Sequence, residues 1–409
     1  MHVAGDHNKR RAKTDKSQNT IGELLYLFEL VHRPSTVPYI TGGLAMQLKS
    51  ILLCLALVSF TVPAAAQNAR LQEIVVQEHN AGRFDGAVVV LKDGKIVFST
   101  GIGQSDKLSG TLWSPTTITR YASVTKQVTA LLVMQEVAKG RVQLGAKIGD
   151  YFGEAPASVR DVTVEQLMRH TSGMREQEEK SGQLSFDFPY RAPSTPVSQQ
   201  RPLEMAKAVC AGPLASPPGA VFSYGDCEYF WLGAILEKVT KIAFYDLVQR
   251  RIAIPNRFTS WGGFRPDRPV ITATGYVGAG EREPEIAVWA FSSGAGLYGN
   301  LVDVARFERL LVTSALLRPD LTDLMLTGVS AYQSHAMGSW SYTVPDTSGT
   351  PVRYVERQGW VGGIRLSVIS VPASDVIVAM VSNSPNTNFF GAWNPNGFVT
   401  NMITEALKQ

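Results

Sequence analysis

Cysteine and histidine are scarce in this chain, which limits the chemistry that it can perform. Only three cysteines and six histidines occur in 409 residues. The histidines beyond residue 66 are His79, His170 and His335, and no two of them have the spacing of a zinc site. The sequence therefore argues against a metal-dependent hydrolase, and it implies no cofactor.

An excess of one charge is also lacking. The chain carries 39 Lys and Arg against 35 Asp and Glu, and residues 67–409 carry 32 against 31. Without a basic stripe, a nucleic-acid partner is not expected. A hydrophobic content of 44% and a mean hydropathy near zero predict a globular protein with an ample core, in one large or two ordinary domains.

No bilayer-spanning segment is expected from the apolar run Ile51–Val62, which is too short. Lys49 before it and an Ala-x-Ala end after it are typical of a secretory signal, cleaved after Ala66. We therefore expect Met46 to be the true start and residues 1–45 to be a mis-assigned reading frame. The mature protein would be periplasmic or secreted, without a stable membrane anchor. A cytoplasmic tail on a membrane anchor is the alternative.

Two cysteines, Cys210 and Cys227, remain after that cleavage. In an oxidising compartment they can form a disulfide that closes the loop between them. Two separate buried thiols fit the sequence equally well.

A Ser-x-x-Lys pair, Ser123 and Lys126, stands at the start of a helix pattern. Apolar residues recur there at helical spacing, at Val124, Val128, Leu131, Leu132 and Val137, and Gly140 follows as a C-terminal cap. One helical turn separates the two side chains, so the lysine can act as the base for a serine nucleophile. A polar helix start with a solvated lysine is the simpler interpretation of such a pair. No other lysine in the chain has a serine three residues before it.

The motifs around this pair resemble a known family. A hairpin is predicted around Asp93-Gly94, the run Ala122–Gln127 follows, and a helix over 163–168 leads into the run His170–Met174. This order resembles the β-lactamase-related serine hydrolases, which include class C β-lactamases, D-alanyl-D-alanine peptidases and esterases of the same fold, and the similarity covers about residues 84–383. The Ser-x-x-Lys motif is itself a known signature of relatives of this group.

The resemblance implies an α/β (α+β) fold of the β-lactamase and penicillin-binding-protein type. An antiparallel sheet built from both chain ends would be flanked by helices. We divide the chain into a leader, 1–66, and a catalytic domain, 67–409. The α/β part would comprise about 67–160 and 265–409, and the helical part about 161–264.

Several segments carry local expectations. Residues 144–152 read as a loop, residues 175–220 as an irregular insertion at the rim of the site, and residues 270–277 and 285–291 as strand or edge material. The tail predicts strands over 352–356, 365–371 and 376–382. Ser292 lies in a partial nucleophile-elbow pattern, which we interpret as a decoy because its first glycine is alanine.

Tyr224 and Asp226 correspond to the family's Tyr-x-Asn motif. A tyrosine at this position can relay the serine proton to the leaving group, although a core tyrosine is the alternative. Asp226 replaces the asparagine that would donate a hydrogen bond to a substrate carbonyl, and an ionised carboxylate only accepts. If it lies near Lys126, Asp226 would favour the ammonium form of the lysine and weaken it as a base.

The family's Lys-Thr-Gly or His-x-Gly edge corresponds to the stretch that begins at Trp360. Its large apolar ring would form a wall in place of a cation, so recognition of a substrate carboxylate would be weak. A tryptophan that simply packs on the sheet edge is the alternative. Gly362 and Gly363 would let the substrate approach, with the Gly363 N–H as the second oxyanion donor beside that of Ser123. His170 belongs to a structural turn in this family, and we expect a packing role for it.

These observations predict an exported serine hydrolase that forms an acyl-enzyme on Ser123. Lys126 and Tyr224 would handle the proton, and the substrate would be a small-molecule ester or amide. The altered positions Asp226 and Trp360 favour esters. A β-lactamase, a D-alanyl-D-alanine peptidase and a non-catalytic protein that binds penicillins or cell-wall fragments are the alternatives.

Overall fold

The computed structural model describes residues 64–175, 201–278, 280–345, 349–389, 394 and 397–409. The expected leader therefore lies outside the described residues, apart from Ala64–Ala66. Val62–Gln409 form one compact unit, which is the unit described below. Within the described residues, no helix combines the length and apolarity that crossing a membrane requires.

The strands form one large sheet and two small ones. In chain order they are β1 Gly86–Lys92, β2 Lys95–Ile102, β3 Gln104–Asp106, β4 Thr111–Leu112, β5 Thr119–Arg120, β6 Gly262–Gly263, β7 Leu297–Gly299, β8 Trp340–Pro345, β9 Pro351–Val361, β10 Ile364–Val371 and β11 Val376–Ser382. The large sheet has the order β2-β1-β11-β10-β9-β8, and all its pairs are antiparallel. The predicted sheet built from both chain ends is therefore confirmed.

Helices cover both faces of this sheet. In chain order they are α1 Ala64–Asn80, α2 Val124–Ala138, α3 Ile148–Tyr151, α4 Val164–Met168, α5 Pro202–Val209, α6 Cys227–Thr240, α7 Phe244–Val248, α8 Ser292–Ala295, α9 Leu301–Val312, α10 Pro319–Leu326 and α11 Phe398–Ala406. Val89 faces the core that contains α2 and α6, whereas Val88 and Val90 face α1 and α11. Because both faces of β1 are buried, its sequence is an almost continuous run of apolar residues.

The hairpin prediction is confirmed in detail. Asp93 and Gly94 join β1 to β2, and both have positive φ, at 49° and 74°. A two-residue loop with this backbone matches the twist of the flanking strands, and Asp-Gly adopts it readily.

Three local predictions are wrong. Residues 144–152 contain the short helix α3, and α5 lies inside the stretch read as irregular, of which residues 176–200 are outside the described part. Residues 270–277 and 285–291 form no strand; the second stretch ends in a 3₁₀ helix, Val288–Phe291. The backbone of Ala273 bonds to Ile118 and that of Thr274 to Ser105. These residues therefore bridge separate segments instead of joining a ladder.

The two cysteines form a disulfide. Cys210 caps the C-terminal end of α5 and Cys227 begins α6, with a Cα–Cα separation of 5.4 Å. Both residues are buried. The bond fixes the start of α6, which directly follows Asp226.

Candidate active site

Ser123 sits at a sharp turn between a small sheet and a buried helix. β5 pairs with β7, and the chain then turns at Ala122, whose φ is 48°. A non-glycine residue in this region is strained, and such strain is found at functional sites. Ser123 is half-buried at the N-cap of α2. Its N–H has no acceptor among the described residues, and N–H groups at a helix start favour developing negative charge.

Lys126 lies fully buried beneath Ser123. Its Nζ donates to Ser123 Oγ at 3.3 Å and to the carbonyl of Gly294 at 3.2 Å. The third partner is the carboxylate of Asp226, which forms an ion pair with the ammonium. Three acceptors match the three N–H donors of an ammonium group, so the geometry suits the charged form of the lysine.

The charge around Lys126 favours the same form. Burial acts to lower the pKa of Lys126, but attraction to Asp226 and Tyr224 and the hydrogen bond to Asp226 outweigh burial, so the pKa is raised. The structure thus places Asp226 where the sequence suggested that it would hold the lysine as an ammonium. A lysine in this state orients the serine oxygen but is a poor base.

Tyr224 reaches the site from the loop before α6. Its ring centroid lies 5.1 Å from Lys126 Nζ, its ring stacks on Trp340, and 40% of the residue is exposed. Its hydroxyl oxygen accepts a hydrogen bond from Arg357 Nη2. Because a guanidinium has no acceptor, the phenol proton must point away from Arg357.

Arg357 is the site residue that sequence reasoning missed. It is fully buried, and its Nε donates to the carbonyl oxygen of Ser123 at 2.7 Å. Its guanidinium also lies over the rings of Tyr224 and Trp340. A single cation therefore links the turn of the nucleophile to the tyrosine.

The sheet edge beside Ser123 is three residues earlier than predicted. An ideal Cβ on Gly359 would lie 2.3 Å from the Tyr121 carbonyl oxygen and 3.3 Å from Ser123 N. β9 therefore passes Ser123 at Gly359, and only glycine fits there. The cationic motif position that we gave to Trp360 falls on Arg357, in the stretch Arg357-Gln358-Gly359.

The N–H of Trp360 faces the open edge of β9. A two-residue turn joins β9 to β10, and Val361 and Ile364 are its closing pair. In a hairpin of this kind the closing pair exchanges both backbone hydrogen bonds. The N–H groups then alternate along the strand, so that of Trp360 points away from β10. β8 pairs with β9 only as far as Glu356, so no strand of the described residues covers this edge at Trp360.

Two predicted site roles need correction. The Gly363 N–H donates to Glu283 Oε2 at 2.7 Å and is therefore occupied, and Gly362 lies in the same turn with φ 57°. The indole of Trp360 leaves β9 on the opposite face from Gly359, because strand side chains alternate. It lies under Arg365 and donates to the Gly362 carbonyl at 2.6 Å, and so does not form a wall beside Ser123.

His170 packs behind the site. It is fully buried with φ 54°, and its ring lies against those of Tyr224 and Tyr229. Burial lowers the pKa of His170 well below its usual range, and the positive charges of Lys126 and Arg357 lower it further. A neutral packing residue fits these contacts, as the sequence suggested.

Comparison of the sequence with protein-family models identifies the family of this chain. The family model described as Beta-lactamase matches residues 71–397. The chain belongs to the β-lactamase family. The predicted fold is confirmed, and the family match supports the predicted class of serine hydrolase.

One relative of this chain is named as an esterase. Esterase EstB of Burkholderia gladioli is 28% identical over 203 residues, which cover 48% of this chain and 52% of EstB. The match therefore spans about half of that esterase.

Two solved structures share the fold of this chain. One is the octameric penicillin-binding protein homologue from Pyrococcus abyssi, with a TM-score of 0.65 and 22% identity, covering 78% of this chain and 74% of the homologue. The other is EstCE1, a hydrolase with promiscuous acyltransferase activity, with a TM-score of 0.66 and 21% identity, covering 85% and 100%. At these identities the similarity establishes the fold alone.

Proposed function

We propose that this chain is an exported esterase that forms an acyl-enzyme on Ser123. The observation that carries the proposal is the ion pair between Lys126 and Asp226 directly beneath the Ser123 hydroxyl. It keeps the nucleophile oriented while making the lysine a weak base. The similarity to a protein named as an esterase, EstB, agrees with this preference.

In the proposed reaction, Ser123 Oγ attacks the ester carbonyl. The Ser123 N–H and the Trp360 N–H receive the oxyanion, because the first lacks an acceptor among the described residues and the second faces the open strand edge. The fraction of molecules with neutral Lys126 takes the serine proton. Tyr224, whose proton points away from Arg357, donates to the leaving alkoxide. Water then attacks the acyl carbonyl and gives a proton to the Tyr224 phenolate, while Ser123 Oγ leaves with the proton held by Lys126 and the acid is released.

Esters are preferred over amides because of what the leaving group requires. An amine must be protonated to leave, whereas an activated alkoxide or phenolate leaves with less assistance. The asparagine that would hold an amide substrate is replaced by Asp226, which is engaged with the lysine. We therefore expect low activity on β-lactams and peptides, both because their amine leaving group needs a proton and because Asp226 cannot hold their amide.

Export is supported by the Cys210–Cys227 disulfide. Disulfides persist in oxidising compartments and are rare in the cytosol. N-terminal sequencing of the protein from its native host should begin at Gln67. A peptide from residues 1–45 would contradict the proposed start and leader.

A binding protein that is acylated slowly is the second candidate. The same ion pair favours it, because a lysine held as an ammonium also slows deacylation. Such a protein would form a stable penicillin adduct and would not turn over esters.

The decisive assay mixes the purified protein with p-nitrophenyl butyrate, a chromogenic cephalosporin and a fluorescent penicillin. Butyrate turnover that Ser123→Ala abolishes, with little cephalosporin hydrolysis, is the expected result. A stable penicillin adduct without ester turnover would favour the binding protein. No reaction in any of the three assays would overturn both candidates.

A further inference from the structure

One carboxylate joins the strand that precedes Ser123 to the turn that ends β9. Glu283 accepts the Gly363 N–H and also pairs with the guanidinium of Arg120 on β5. The side chains of Arg120 and Glu283 are only 6% and 12% exposed. Solvent therefore screens this pair less than it screens a surface ion pair.

Glycines make room for this carboxylate. An ideal Cβ on Gly362 would lie 2.2 Å from Glu283 Oε2, and one on Gly275 would lie equally close. The Gly363 position is filled in the same way, since its Cβ would lie 2.1 Å from the backbone nitrogen of Tyr276. The space beside the glycines of the turn is thus occupied by Glu283 and neighbouring backbone, and not by a substrate.

The end of β9 needs such an anchor. β8 pairs with β9 no further than Glu356, so among the described strands the last residues of β9 pair only with β10. Trp360 lies in this stretch, three residues before Gly363. Arg120 lies three residues before Ser123. The contact through Glu283 therefore ties together the two segments that carry the proposed oxyanion donors.

We propose that Glu283 is a positioning residue for catalysis, acting through the clamp Arg120–Glu283–Gly363. The clamp sets the distance between the N–H groups of Ser123 and Trp360, which must converge on one oxygen. A displacement of about 1 Å at such a site can reduce the rate about 100-fold. The inference rests on the proposed function, because it assigns a role in the same acylation step.

The test compares Glu283→Ala and Glu283→Gln with the wild-type protein on p-nitrophenyl butyrate. We expect Glu283→Ala to lower kcat about 100-fold, with KM nearly unchanged. Glu283→Gln keeps an acceptor for the Gly363 N–H but loses the charge that faces Arg120, so its loss should be smaller. The shape of the pH–rate profile should not change, because no proton-transfer group is altered.

Glu285→Ala is the matched control, since Glu285 is an exposed carboxylate two residues away. Arg120→Gln, Glu283→Gln and the double variant form a double-mutant cycle. If the clamp acts as a unit, the losses of kcat in the two single variants do not add up to the loss in the double variant. Equal kcat in Glu283→Ala and Glu285→Ala would overturn the proposal. A loss that appears in KM alone would also overturn it.

Amide hydrogen exchange separates the clamp from the proposed function. In Glu283→Ala, exchange should accelerate in a peptide covering residues 358–364 and stay unchanged in one covering β11. Acceleration in both peptides would mean that the whole fold is destabilised, which contradicts a local role. If the wild-type protein shows no Ser123-dependent reaction, the proposed function fails, and the exchange result alone decides whether the clamp exists.

Discussion

At the scale of single residues, the contact between Lys126 and Asp226 controls how the site responds to pH. The pKa of Lys126 is raised because Asp226 and Tyr224 outweigh the effect of burial. Only the neutral amine can accept the serine proton. The acylation rate should therefore increase with pH throughout the neutral and mildly alkaline range.

Asp226→Asn removes the main charge that raises the pKa of Lys126, so the alkaline rise in log(kcat/KM) should move to lower pH. At pH 7 the variant should be faster, and its activity on amide-like substrates should increase, because asparagine can donate to an amide carbonyl. A pH–rate profile on p-nitrophenyl butyrate measures the shift. Asp161→Asn, at an exposed carboxylate, is the control. Identical profiles for wild type and Asp226→Asn would contradict this role.

Single residues were predictable from sequence where a motif is contiguous. Ser123 and Lys126 lie one helical turn apart, so local geometry alone brings them together. Arg357 was not predictable, because its role depends on where β9 crosses the nucleophile. Glycines at 359, 362 and 363 allow two registers for that crossing, and only the close approach of Gly359 to Tyr121 decides between them.

At the scale of the elements, apolar periodicity predicted the strands and helices that bury a face. The strand predicted at 376–382 coincides with β11, all of whose residues are buried. The segment 270–277 was wrongly predicted as a strand because it is rich in β-branched residues. Its backbone partners lie in separate segments, and a single sequence does not show whether a neighbouring strand is present.

The disulfide between α5 and α6 should stabilise the fold and the position of Asp226. The cysteines are 17 residues apart, and closing a loop of this size contributes about 3 kcal/mol. The double variant Cys210→Ser with Cys227→Ser should lose about this much free energy of unfolding in urea. It should also show a lower kcat, because Cys227 directly follows Asp226.

Dithiothreitol provides the control for that measurement. The reductant should lower the free energy of unfolding of the wild-type protein towards that of the double-serine variant. It should leave the free energy of unfolding of the variant unchanged. If the variant is as stable as the oxidised wild type, the disulfide has no structural role.

At the scale of the whole molecule, buried carboxyl groups make stability depend on pH. Burial raises the pKa of Glu308 on α9 from 4.5 to about 7, although a hydrogen bond from Ser370 opposes the rise. Between these two values, the folded state retains a proton that the unfolded state has lost. Stability from this group therefore falls as pH increases through that window.

Glu308→Gln should remove this dependence. From pH 5 to pH 8, the free energy of unfolding of the variant should improve by about 2 kcal/mol relative to wild type. Urea unfolding at the two pH values measures the change, with the exposed Glu281→Gln as the control. A constant difference between variant and wild type would show that Glu308 is ionised in the folded protein.

The proposal that Ser123 is the nucleophile has one direct test that does not depend on the rate of deacylation. An alkylphosphonate p-nitrophenyl ester, which mimics the tetrahedral intermediate, is incubated with the protein, and the modified peptide is identified by mass spectrometry. We predict stoichiometric release of p-nitrophenolate, a phosphonate on the peptide that contains Ser123, and no modification of Ser123→Ala. A phosphonate on another residue such as Ser292, or no adduct at all, would contradict the proposal.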